Sequence, residues 1–463
     1  MMKTKTNSVK IVGYLVLTLI VMVGGIVISY AADAQDPSNS PAPMKDDEQT
    51  QVLAAEDMPH ASGLRWAGDK LIASSSDNEM CPSLASAPDG TLYAAIQDTT
   101  DGYIKIYRSI NGGESWSLWF GVRTGVSSHN PSLTYIEDTL NNEKWLYVVY
   151  EGTWADDSRN VMLYRKLVAG AGTSGPVTIA SGISMPADQH IAPEICADYP
   201  AFISGGIYLY VTYAVQAVDY YPVMFSRSLD RGASWSAPVN VTGGIGSNSG
   251  WQTQPDIAFG TTSYLLFIAF EKLGWTGSAW ANQIWVRKST DFGANWGDPV
   301  QLTTSTDAEY HARVSAAIGN NSVLIAYTRD WNNSGDWDIW YAYSTDAGSS
   351  WNTSYQLATL SSVNEDAVEL DRSWSGGSFH AAYWQENDIM YRAAPTTAPS
   401  SWSAATRINA VSWVSHEKPA VTINSTKPAA QEAGIAWTVL GGASYDVYFD
   451  AGYFLESYLL WTK

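Results

Sequence analysis

The sequence predicts an all-β chain folded as a single propeller of four-stranded blades, and three observations predict it. A Ser-x-(Asp/Asn)-x-Gly-x-x-Trp octapeptide recurs, its tryptophans 119, 61 and 55 residues apart. A Pro-x-(Leu/Ile) strand opener recurs in step with it. Between them run short aromatic and β-branched stretches at even spacing. Such strands fit a sandwich, a barrel or a propeller, and a period of about 50–62 residues selects the propeller.

The N-terminus stands apart from this pattern. Lys3, Lys5 and Lys10 precede the uncharged apolar run Ile11–Ser29 and a small-residue site, Ala32-Asp33-Ala34. Residues 1–34 therefore read as a signal peptide or an N-terminal membrane anchor, and the run is long enough for either. Both readings make the remainder secreted or cell-surface, with membrane contact only through this segment. Residues 35–62 are Pro-, Ser- and acid-rich without apolar period and read as a disordered linker. Residues 63–463 are the propeller.

The octapeptides are Ser109–Trp116 (with Asn111 in place of Asp), Ser228–Trp235, Ser289–Trp296 and Ser344–Trp351, and a worn copy ends at Trp402. Each is a strand-turn-strand staple. Asn111, Asp230, Asp291 and Asp346 accept backbone hydrogen bonds, Gly takes the special backbone angle, and Trp116, Trp235, Trp296 and Trp351 plug the blade. Openers fall at Pro82, Pro131, Pro193 and Pro255, with looser copies at Val314, Val368 and Pro419, which makes seven blades. Six remain if one weak repeat is misread. The stretch 66–73 resembles a fourth strand and should pair with the last blade, closing the ring; the tail 454–461 would extend or compete for the same sheet.

These octapeptides resemble the Asp-boxes of the sialidase superfamily over roughly residues 64–463. The resemblance implies a propeller scaffold more firmly than any activity. Sialidases hold their anionic substrate with three arginines, the first in a Phe/Tyr-Arg-Ile-Pro motif, and use a Tyr nucleophile helped by a Glu. No Arg-Ile-Pro occurs here, and only Arg313 stands where an opener could aim an arginine into the channel. True sialidase chemistry is not expected.

Composition narrows the ligand further. With residues 1–34 removed, the formal charge moves from −20 to −22, which excludes nucleic acid as a partner. Two cysteines cannot build a disulfide scaffold, and 21 Trp with 27 Tyr supply the core instead. Cys81 and Cys196 sit on the inner strands of non-neighbouring blades and should stay unpaired.

Ligands of such propellers bind the face opposite the octapeptides. Three residues before the openers stand Glu79, Ser128 with His129, His190, Gln252, His311, Glu365 and His416, four of the six histidines. By period two the middle residue of each opener faces the channel: Ser83, Ser132, Glu194, Asp256, Ser315, Glu369 and Ala420. The ligand-binding candidates are therefore Glu79, His129, His190, Glu194, Gln252, Asp256, His311, Arg313, Glu365, Glu369 and His416. Trp251, Tyr310, Trp413, Trp154, Trp275 and Trp280 in nearby loops offer faces for sugars, or wedge between blades. Catalysis would need a carboxyl pair, for which Glu151 and Glu271 at the ends of second strands are the candidates.

Asp330, Asn332, Ser334, Asp336 and Asp338 alternate around Gly335 like a calcium loop, although the plainer reading is a solvated hairpin tip. Calcium is the one cofactor suggested. The functional reading is recognition of a glycan or an extracellular protein on the channel-mouth face. The alternatives are a glycoside hydrolase with a non-sialidase site and a structural cell-surface module.

Overall fold

The computed structural model describes residues 19–23, 26–30, 64–73, 77–138, 141–169, 173–185, 190–198, 206–216, 221–242, 254–260, 264–278, 280–360, 362–372, 377–410, 414–423, 431–441 and 444–454. They fall in two units, Met1–Asp57 and Met58–Lys463. In the first, Leu19–Val23 pairs antiparallel with Ile26–Tyr30. No described helix is long and apolar enough to cross a membrane. The rest of the predicted leader, the linker 35–62 and the tail 455–461 lie outside the described residues.

The second unit is a ring of seven blades, with no helix among the described residues. The innermost strands are Glu79–Ser86, Ser127–Asp138, Glu194–Asp198, Asp256–Gly260, Glu309–Ala316, Glu365–Arg372 and Ala420–Ile423. Each pairs antiparallel with the second strand of its own blade: Leu92–Asp98, Glu143–Thr153, Tyr208–Ala214, Leu265–Trp275, Val323–Trp331, Ser378–Gln385 or Gln431–Gly441. Blade 7 takes its outer strands from the other end of the chain. Leu64–Trp66 and Lys70–Ala73 both pair with Ser444–Phe454, so the predicted closure is present and no eighth edge is left.

Second strands are buried on both faces, because each blade is sandwiched between two others. Leu209, Val211 and Tyr213 pack on blade 2, while Tyr210 packs on blade 4. The core accordingly divides into seven clusters, one at each blade junction. Cys81 and Cys196 are unpaired, and burial pushes both thiols well above their ordinary range.

All four octapeptides close in the same way. The Ser Oγ accepts the Gly N–H at 2.8–2.9 Å, and Asn111, Asp230, Asp291 or Asp346 accepts the N–H four residues on at 2.8–3.1 Å. Two successive left-handed residues make the turn, as at Phe292 (φ 58°) and Gly293 (φ 75°). Glycine is required by the neighbouring blade as well as by φ. A Cβ on Gly293 would stand 2.4 Å from Phe225 of blade 3, and one on Gly113 would stand 2.0 Å from Phe449 of blade 7. The tryptophans wedge into those same rings, Trp296 on Phe225 and Trp116 on Phe449. The octapeptide is thus an inter-blade clamp rather than a plug for its own blade.

Gly319 also has positive φ (83°) but open space around its would-be Cβ. Gly319→Ala should cost only the backbone strain, about 1 kcal/mol, whereas Gly293→Ala adds overpacking of about 1–3 kcal/mol. Urea unfolding of the two variants measures the difference, and equal losses would refute the clamp.

Candidate functional site

The channel-mouth site is built on bulged innermost strands. In blades 1, 5 and 6 the ladder to the second strand slips once, between Met80 and Ser83, Tyr310 and Arg313, and Asp366 and Glu369. Each slip carries a left-handed residue: Cys81 (φ 51°), His311 (φ 56°) and Ala367 (φ 55°). Bulges of this kind re-aim side chains next to functional sites.

The slip corrects the register read from sequence in blade 5. Arg313 pairs with Ala326 as Ser83 pairs with Ala95, Glu194 with Thr212, Asp256 with Ala269 and Glu369 with Ala382. Arg313 therefore holds the channel-facing position, and Ser315 lies one pleat deeper. Likewise Glu309, not His311, is the counterpart of Glu79 and Glu365. The loose Val-Ser-Ala opener slid the alignment by two residues, which preserves strand parity and so leaves no trace in the hydrophobic pattern.

The floor of the mouth is an ion-pair network spanning blades 3 to 7. Lys418 Nζ lies 2.8 Å from Glu194 Oε1 and 2.9 Å from Glu369 Oε2. Arg313 Nε is 3.3 Å from Glu369 Oε2, and its Nη2 donates to Gln254 Oε1 at 3.3 Å. Asp256 Oδ2 accepts the Val314 N–H at 2.7 Å. Burial, then Glu194 and Glu369, push Asp256 up to about 7. Burial would also raise Glu194, but Lys418 and Arg313 hold it below its ordinary value. Beneath the floor a channel cavity of ≈ 220 Å³ is lined by the predicted residues Ser83, Ser132, Glu194, Asp256, Ser315, Glu369 and Ala420.

Above the floor opens a cavity of ≈ 310 Å³ bordered by Asn130, Gln254, His311, Arg313, Asp366, His416 and Lys418. Asp366, buried, binds two imidazoles: His311 Nδ1 at 2.9 Å and His416 Nε2 at 2.8 Å. Thr328 Oγ1 donates to the same carboxylate. Burial would raise Asp366, but His311, His416 and Thr328 hold it far below the carboxylate range. Burial would lower His311, and Asp366, followed by Glu271, lifts it above its ordinary value instead. Trp384 stacks on His416 at 4.2 Å between centroids, and Trp337 lies at 5.4 Å.

A second histidine pair sits between blades 1 and 3. His129 and His190 are 4.4 Å apart by ring centroid; Gln97 bonds His129 (3.1 Å) and Glu151 bonds His190 (3.1 Å). Burial, then His190, pushes His129 down to about 4.

The remaining candidates fall elsewhere. Glu79 and Glu365 are fully buried, so they do not ring the mouth. Glu151 is buried against Arg159 (2.9 Å) and accepts the Ile191 N–H at 2.6 Å. Glu271 is buried and accepts the His311 N–H, and burial pushes it up to about 7. Neither carboxylate lines the cavity: each accepts an N–H of the next blade, and Glu151 also holds the Arg159 and His190 side chains. Gln252, Trp251 and Trp413 lie outside the described residues. Asp366, Lys418, Gln254 and Trp384 were not anticipated. Lys418 had a legible signal, since it stands two residues before Ala420, at the entrance to the same innermost strand.

The Asp330–Asp338 loop is not a calcium cage. Asp330 pairs across the hairpin with Trp337, whereas Asp336 pairs with Trp331 and Asp338 with Arg329. Opposed residues share a face, so Asp330 points away from Asp336 and Asp338. Its Oδ1 instead closes the tip by accepting the Gly335 N–H at 2.7 Å.

No protein-family model matches the sequence, and a comparison with curated proteins finds no match. Solved structures do share the fold. A protein of unknown function from Dyadobacter fermentans aligns over 85% of this chain and 100% of its own, at 12% identity and TM-score 0.51. The Fusarium graminearum GH93 α-L-arabinofuranosidase, solved with arabinobiose, aligns over 84% and 98% at 11% identity and TM-score 0.49. The NanB sialidase of Streptococcus pneumoniae aligns over 84% and 71% at 13% identity and TM-score 0.43. At these identities what is shared is the propeller.

Asp366, held low, stabilises the fold above about pH 4, and its contribution is lost as pH falls. His311, held high, contributes fully below about pH 6.5, and its contribution is lost as pH rises through its folded value. Asp366→Asn should therefore cost most between these limits, about 1–3 kcal/mol. Thermal melts from acid to alkaline pH will show the gap between wild type and variant narrowing at both ends; a constant gap would mean the contacts are not ionic.

Proposed function

We propose that this chain is an exported propeller that binds an uncharged glycan in the channel-mouth cavity. The observation that carries the reading is charge closure. Both cations at the mouth are already engaged, Lys418 by two carboxylates and Arg313 by Glu369 and Gln254. An anionic sugar would have to break those pairs. What the cavity offers is the His311 and His416 imidazoles and the Asn130 and Gln254 amides, which suit hydroxyls, with the Trp384 and Trp337 rings packed on His416 rather than lining the cavity. Export is supported by the leader-like residues 1–34. Calorimetric titration with neutral arabino-, xylo- and galacto-oligosaccharides, and with a sialylated one, tests the reading. Binding of a neutral sugar, weakened at least about tenfold in Trp384→Ala, is expected. Preference for the sialylated ligand would refute it.

One observation favours hydrolysis as a second reading. Glu194 and Glu369 share the Lys418 ammonium, so their oxygens are no farther apart than those two contacts combined. Retaining glycosidases separate their carboxyls by about 5–5.5 Å. In this reading Glu194 and Glu369 replace Glu151 and Glu271 as the pair. Aryl-glycosides should then be cleaved by wild type and by Glu151→Gln at comparable rates, and about a thousandfold more slowly by Glu369→Gln. Uniform inactivity of wild type would remove hydrolysis and leave binding.

A further inference from the structure

The hairpin that joins the second and third strands of blade 4 carries more chain than the blade needs. In blades 1, 2 and 4 a side chain of the second strand accepts an N–H of the next blade at the mouth: Gln97, Glu151 and Glu271. The strand ends one residue later in blade 1, at Asp98, and two later in blade 2, at Thr153. In blade 4 it runs four further, to Trp275, and stays paired with the third strand, Trp280–Ser289, to its end. Four residues carry it about 13 Å beyond the level at which Glu271 meets His311.

Trp275 and Trp280 are opposed at the tip and so share a face, the one that Glu271 turns toward blade 5. Their ring centroids are 5.7 Å apart and their planes meet at 59°. They are 49% and 63% exposed, and among the described residues each has only the other as an aromatic neighbour. Other tryptophans of the mouth-side hairpins are committed to packing. Trp154 lies against the core between blades 1 and 2, and Trp331 stacks on Trp340 at 6.0 Å, where Arg329 also sits at 4.1 Å. Below its tip the blade 4 hairpin is braced. Buried Gln283 donates from Nε2 to the Ser305 and Asp307 carbonyls at 2.9 and 3.3 Å, and a Cβ on Gly274 would stand 2.8 Å from Gln301 Nε2. A platform held in this way loses little freedom when a ligand settles on it.

From Leu273 to Gln283 no residue is charged, and Thr276, Ser278 and Asn282 add hydroxyl and amide groups. Two tryptophans offer at most about 500 Å², short of the about 800 Å² per partner that a stable protein interface buries. With no basic residue, in a chain of net charge −20, the tip has nothing to hold an anionic lipid surface either. The chemistry that fits is a sugar ring, whose C–H face lies on an indole while its hydroxyls reach the polar neighbours. We propose that Trp275 and Trp280 form an outer glycan subsite, which takes the far end of a neutral oligosaccharide whose near end occupies the channel-mouth cavity. The proposal rests on the glycan reading above and adds chain length to it: the ligand is an oligosaccharide of several units, long enough to reach from His311 to the tip.

Calorimetric titration of the full chain with di- to hexasaccharide ladders of the neutral arabino-, xylo- and galacto-series tests the subsite. In wild type, affinity should climb at least about tenfold from the disaccharide to the longest member. The double variant Trp275→Ala with Trp280→Ala should flatten that climb and keep the wild-type Tm, because both side chains are exposed. A flat ladder in wild type, or an undiminished climb in the double variant, would overturn the subsite, while disaccharide binding would keep the glycan reading. No binding of any neutral sugar would refute both. Co-sedimentation of wild type with neutral phosphatidylcholine vesicles, or self-association, that is lost in the double variant would give the tip to lipid or to a second copy and overturn the subsite as well.

Discussion

Seven innermost strands converge on one axis without pairing with one another, and each presents backbone N–H groups that its own blade cannot satisfy. Buried N–H groups need acceptors. Here the acceptor comes from the preceding blade. Ser83 takes the Leu133 N–H, Ser132 takes that of Ile195, Asp256 that of Val314 and Asp371 that of Ile423. Nearer the mouth Gln97 takes the Asn130 N–H, Glu151 that of Ile191, Glu271 that of His311 and Glu417 that of Cys81. Every bond runs from one blade to the next in the same rotational sense. This requirement fixes small or acidic residues along the channel before any ligand is considered.

The same requirement separates scaffold carboxylates from available ones. Glu151 and Glu271 look catalytic in sequence because buried acids at strand ends are where chemistry is often found. In the ring they terminate backbone donors. Glu194 and Glu369 project into the channel and meet side chains instead. Their partner, Lys418, crosses the axis from blade 7, so its two contacts tie blades 3, 6 and 7 together over a distance no backbone bond spans. Whatever binds above this floor meets a surface already neutralised.

The blades were legible because their signals are local. The octapeptide carries its turn, its donor-acceptor pairs and its tryptophan within eight residues, and closure by the N-terminal strands follows from edge pairing. The inter-blade role of Trp296 or Gly293 was not legible, since the contact is with Phe225, about one repeat away. The channel-facing residues were found by period two wherever the opener was crisp. Blade 5 failed because its opener carries neither a proline nor the Leu/Ile that marks blade 6, and with it went the counterpart relation of Glu309, Glu79 and Glu365. Asp366 could not be found at all: it is one residue among 46 acidic ones, and only the bulge after it turns its carboxylate between His311 and His416.

Seven similar blades would give a mouth with no preferred position, so function has to enter through their differences. The bulges supply the difference. The ladder slips in blades 1, 5 and 6, Asn130 of blade 2 (φ 48°) shares the left-handed backbone, and the left-handed residues Cys81 and His311 are held by the Glu417 and Glu271 carboxylates on their own N–H groups. A non-glycine residue in that conformation costs on the order of 1 kcal/mol or more and persists only where its surroundings over-determine it. Glu271 is thus tied to the site without facing it. By accepting the His311 N–H it stabilises the strained backbone that brings the imidazole onto Asp366, and through Asp366 onto His416 and Trp384. The carboxylate that sequence singled out for chemistry bears on the mouth by positioning the histidine that faces it.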